Sequence, residues 1–172
     1  DFQENNVISS EAGYRAYERV LSMLDFSLTP CGDSRLTMAK RCLLLLEILN
    51  RIELPPVSDI PGDEEVEKSG MKQWSIPDTD LTIQRIEKGP RTGEFLFSAG
   101  TVERLHRYYL LVKPLPYRRT GAINIFEKYI ATVESDYHSE SLMRNILRPV
   151  DAESPRATLI GFLDSVNRAY SI

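Results

Sequence analysis

Two histidines, His106 and His138, are the first candidates for acid–base or metal chemistry. His106 follows Val102 by four positions and sits at the edge of an apolar helical stripe, which reads as a boundary residue rather than a base. His138 lies in the polar run Ser135-Asp136-Tyr137-His138-Ser139-Glu140, where one histidine beside adjacent carboxylates lacks the spacing of a ligand set. Asp78 and Asp80 form a carboxylate pair, but in Pro77-Asp78-Thr79-Asp80 they suit a β-turn, where aspartate bonds nearby backbone amides. Gly89-Pro90-Arg91-Thr92-Gly93 has two glycines and no phosphate-binding lysine, so it reads as a hairpin turn. Trp74, Tyr108, Tyr109 and Tyr117, with Arg91, are the candidate ligand or partner surface; the competing reading is a core with wet phenol tips. No Cys-x-x-Cys, His-Glu-x-x-His or Gly-x-Ser-x-Gly occurs. The residues therefore specify no catalytic group, cofactor site or metal site, and a hydrolase built on either histidine is the weakest reading.

The elements that must position these residues follow from periodicity. Tyr14, Tyr17, Leu21 and Leu24 predict a helix over about 11–25, capped by Ser9 or Ser10. Asp33 or Ser34 opens a second helix that runs to about Glu53; its apolar residues cover most of its circumference, so it should be central. Pro55-Pro56 ends it. A polar connector over 57–70 holds an acidic run and a short helical turn near 63–68. The period then changes to two, and residues about 72–98 predict a meander of three short antiparallel strands. In it, Phe95 and Phe97 alternate with Glu94, Leu96 and Ser98. Gly93 is expected at positive φ. Ser98 caps a helix from about Gly100 to Val112, with Val102, Leu105, Tyr109 and Val112 inward. Ile123, Phe126 and Ile130 point inward from a helix or extended piece over 121–133, a weaker helix spans 139–147, and Ser154-Pro155 opens the last one.

The chain is expected to be α+β, mainly helical, with the small meander packed against long helices. Residues 1–153 form one domain, and 154–172 form a connecting helix or the start of a further copy of the module. The repeat reading rests on a shift of 145 positions that sets Ser9, Ala12, Tyr14, Tyr17 and Leu21 on Ser154, Ala157, Leu159, Phe162 and Val166.

Composition narrows the classes. With 21 basic and 25 acidic residues the net charge is −4, which argues against a nucleic-acid partner. The middle of the chain is nevertheless basic, at Arg85, Lys88, Arg91, Arg104, Arg107, Lys113, Arg118 and Arg119. The longest apolar run, Cys42–Leu46, closes at Glu47, well short of the ~20 residues of a membrane helix. The first residue is Asp, which reads as a processed chain or a piece of a longer one. Cys42 lies on an apolar helix face and is expected to be a free, buried thiol; a disulfide to Cys31 is the alternative in an oxidising compartment.

Several phrases, in their order, carry a further signal: Leu49–Pro56 (LNRIELPP), Ile60-Pro61, Trp74-Ser75-Ile76-Pro77, Gly89–Ser98 (GPRTGEFLFS), Leu115–Tyr117 (LPY) and Ser154–Tyr170. On these the chain resembles the extramembrane N-terminal region of Gram-negative proteins of the small-conductance mechanosensitive channel family. The resemblance covers roughly Leu36–Tyr117 and Ser154–Tyr170, and the pore-lining helix of that family is missing from it. It implies a non-enzymatic periplasmic sensor or interaction domain of an inner-membrane protein, without cofactor. It implies as partner the membrane-spanning channel portion of the same polypeptide. A homo-oligomer is a further expected association, while nucleic acid binding and direct membrane insertion of this piece are not expected. The alternative is a free periplasmic binding protein for a small ligand or cell-wall fragment, with a pocket near Trp74 and the tyrosines.

Overall fold

Helix α1, Arg35–Leu49, is the axis of the fold, because its second half, residues 42–49, is apolar but for Glu47. From Cys42 to Leu49 every side chain is buried, including Glu47. A computed structural model of the chain describes residues 18–29, 35–119, 123–135 and 153–170. Within them, α2 spans Asp63–Ser69, α3 Ala99–Val112, α4 Ile125–Ser135 and α5 Pro155–Tyr170. Strands β1 Gln73–Ser75, β2 Thr82–Arg85 and β3 Phe95–Phe97 form one antiparallel sheet in that order. The fold is α+β and mainly helical, with the meander where the change of period placed it.

Register follows from burial. Ile83 pairs with both Trp74 and Phe97 and lies at the centre of the sheet. The outer edge of β3 is not open: Asp25 N–H donates to Phe97 O at 3.0 Å, and Phe97 N–H to Met23 O at 2.9 Å. The chain around Leu24 thus covers an edge that would otherwise present free backbone groups. Ser98 caps α3, its Oγ accepting from Thr101 N–H at 3.2 Å. Val102, Leu105 and Tyr109 bury the inward face, and α3 packs on α1. Ser154 caps α5 through Ala157 N–H at 3.2 Å. Leu159, Phe162 and Val166 then bury against β2 and β3, with Phe162 edge-on to Phe97 at 5.6 Å.

Several expectations need correction. Leu96 is not exposed: β3 is buried on both faces, with α5 on the Phe97 side, where Phe162 meets its ring. Helix α1 stops at Leu49 rather than near Glu53; Asn50 and Arg51 form a turn, with Arg51 Nη1 donating to Glu47 O at 3.0 Å. The first helical segment ends at Ser22, since Met23–Asp25 pair with β3 instead. Ile123 is exposed rather than inward, because α4 begins only at Ile125. The turn at 77–80 is bonded by Thr79, whose Oγ1 donates to Ile76 O and accepts from Leu81 N–H, while Asp78 takes positive φ. Gly93 has φ +98°, as expected. The cap at Ser9 or Ser10, the cap at Asp33 or Ser34, Cys31, His138 and the helix over 139–147 lie outside the described residues.

Candidate functional site

The aromatic candidates do not gather into one pocket. Trp74 is half-buried on β1 against the core. Tyr108 is half-buried beside Arg104, whose guanidinium lies 5.8 Å from the ring centroid. Arg91 is tied to its own turn, Nε donating to Glu94 at 2.8 Å. Only Tyr109 and Tyr117 are brought together, and what joins them is Arg51, 5.8 and 3.9 Å from their centroids. His106 is exposed on α3. Cys42 is free and wholly buried, and that burial pushes its thiol pKa far up, so it is an unreactive core residue.

The polar centre of the molecule is instead a cluster the sequence did not announce. Glu47 has 0% exposure and Arg51, one turn on, 3%; their side chains form an ion pair. Glu47 Oε1 accepts from Ile125 N–H at 2.7 Å and from Phe126 N–H at 3.4 Å. These are first-turn amides of α4, which no residue inside that helix can satisfy. Oε2 accepts from Tyr117 OH at 2.6 Å. Tyr117 OH also receives Arg51 Nη2 at 2.7 Å and Asn124 N–H at 2.7 Å. Its single proton goes to the charged acceptor Glu47 rather than to Asn124 Oδ1 at 3.0 Å. Burial first, and then the bond to Glu47, raise the Tyr117 pKa above the ordinary tyrosine value.

Around this core, Tyr109 OH donates to Glu127, which also pairs with Lys113 at 3.3 Å. Arg119 donates to the Leu49 carbonyl, and Arg118 N–H to Asn50 O at 2.8 Å. Arg51 Nε and Glu127 Oε2 are buried without a hydrogen-bond partner. Almost every other polar atom of the cluster is bonded to another part of the chain, so the arrangement fastens residues 117–119 and the start of α4 onto the end of α1. In the sequence Glu47 merely closed an apolar run. Apart from Arg51, four positions on, its partners lie 70 to 79 positions away, beyond any local pattern.

A separate cleft of about 410 Å³ lies between α2 and the β2–β3 hairpin, lined by Asp63, Val66, Glu67, Arg85, Glu94 and Glu153 among others. Among the described residues no group of histidine, cysteine and carboxylate side chains is arranged to hold a metal ion. Among the same residues, no helix is long and apolar enough to cross a membrane. No family model matches the chain, and neither a curated protein nor a solved structure matches it.

Proposed function

We propose that this chain is a non-enzymatic sensor or interaction domain, the periplasmic part of a mechanosensitive-type channel protein of the inner membrane. One observation supports it. The phrases on which the resemblance rests, far apart in the chain, hold one another in space. Arg156, in the terminal phrase, donates to Ile60 O through Nε at 2.9 Å. Thr158 donates to Phe95 O, in the GPRTGEFLFS phrase. Tyr117, closing LPY, stacks on Arg51 in LNRIELPP. Such phrases recur together when they are the joints of one folding unit, and a unit whose polar groups are engaged internally suits a spacer or sensor better than a catalyst. The alternative, a free ligand-binding protein, draws on an aromatic pocket, and Trp74 shares no ring contact with the three tyrosines.

The full-length gene tests the proposal. Downstream apolar runs of ~20 residues are expected, together with stretch-activated current in membrane patches from cells that express the whole protein. A stop codon soon after Ile172, or the absence of such current, would sink the channel reading.

A further inference from the structure

We propose that the C-terminal end of α3 is a docking surface for an anionic lipid bilayer. This goes beyond the channel reading and does not depend on it. Six large apolar residues are strongly exposed among the described residues, and three of them, Leu110, Leu111 and Leu115, fall within six consecutive positions. The others, Leu28, Val57 and Ile123, are scattered, which is ordinary for a protein surface. Leu110 and Leu111 are 56% and 69% exposed, Leu111 on the side of α3 opposite Val102, Leu105 and Tyr109 and Leu110 on the flank beside it. They follow Arg107 by three and four positions, so all three share one face, and Arg104 continues it a turn earlier.

Charge selects the occupant. From Arg104 to Phe126 the chain has five Arg or Lys and no Asp or Glu, in a protein of net charge −4; of the five, Lys113 pairs with Glu127, Arg118 with Glu53 and Arg119 bonds the Leu49 carbonyl, which leaves Arg104 and Arg107 for a partner. Arg104 and Arg107 are exposed and have no carboxylate partner among the described residues, although Glu103 stands one position before the patch. Cations beside protruding leucines match the two layers of a membrane surface. Guanidinium groups meet lipid phosphates, and leucine side chains enter the boundary of the acyl region. A nucleic acid would reward the arginines and leave the leucines in water. The contact is shallow and involves no membrane span.

Flotation of the full 172-residue chain with vesicles tests this. Binding is expected to phosphatidylglycerol–phosphatidylcholine vesicles and not to pure phosphatidylcholine, and should weaken as salt is added. Arg104→Ser/Arg107→Ser should lower partitioning on the order of 30-fold, and Leu110→Ser/Leu111→Ser by about tenfold or more. Melting temperatures of both variants should match the parent, because the replaced side chains are exposed. If the leucine pair lowers the melting temperature, Leu111→Ser alone takes its place. No flotation on the mixed vesicles, or equal flotation on neutral ones, overturns the proposal. Retained binding in the leucine variant overturns it in favour of a purely electrostatic surface, which DNA should then occupy equally well. A leucine variant whose sedimentation shifts from dimer to monomer assigns the patch to a second copy of the chain, and also overturns it.

Discussion

Glu47 sits where a charge is hardest to accommodate, and its partners explain why it is tolerated. Removing one member of a buried pair leaves the other without compensation, which costs about 3–5 kcal/mol. Glu47→Leu should therefore destabilise the domain by about that amount in urea denaturation. Glu47→Leu/Arg51→Met should lose less than the single change, since no unpaired charge remains; a larger loss would contradict the pairing. Tyr117→Phe deletes the hydroxyl that bridges Glu47, Arg51 and Asn124, and should cost about 1–2 kcal/mol. The same hydroxyl gives the stability an alkaline limb. Its folded pKa is raised, so its contribution is complete below the ordinary tyrosine value of about 10 and is lost as pH rises through the folded value. Denaturation midpoints across that range should fall more steeply in the parent than in Tyr117→Phe. Parallel curves would show that another group governs the limb.

At the scale of elements, the turns carry their own tests. Gly93 holds φ +98° at the entry to β3, and a side chain there would meet open space, with Arg85 Nη2 the nearest atom at 4.0 Å. The penalty for Gly93→Val is thus a backbone penalty, about 1–2 kcal/mol, read as a lower melting temperature. An unchanged melting temperature would mean that the turn relaxes without resistance. Elements with local signals were legible in the sequence. Ser98 before an apolar stripe gave α3, Ser154-Pro155 gave α5, and Gly93 gave the hairpin. What was not legible depended on neighbours distant in the chain. Leu96 reads as an outward strand residue, yet the fold buries both faces of β3, and Ile123 reads as inward until Glu47 sets the start of α4 at Ile125. The Trp74 and tyrosine surface was read from residue type alone, and type does not say that Arg51 joins Tyr109 and Tyr117 without Trp74 or Tyr108.

At the scale of the molecule, the apolar face of α5 was the open question, since the sequence allowed it to meet its own domain or a neighbouring copy. It lies on β2 and β3 of the same chain, with Phe162 fully buried against Phe97. Truncation after Asp151 would then bare β3 rather than free an interface. The truncated chain should aggregate, or sediment as larger species than the full one, and its unfolding should lose cooperativity. A truncated chain that stays soluble and folded would place the helix outside the core. Phe162→Ala offers a milder version, expected to cost about 3–5 kcal/mol in the same assay.

Because β3 is covered on one side by residues made some 60 positions later, the order of synthesis leaves a vulnerable interval. Phe95-Leu96-Phe97 emerges from the ribosome long before Thr158 and Phe162 can reach it. During that interval a short, wholly apolar strand is presented to whatever is nearby, which is the condition under which nascent chains recruit chaperones or misassociate. Ribosome-stalled chains ending near residue 150 should bind a chaperone through this strand, and chains long enough to expose α5 should release it.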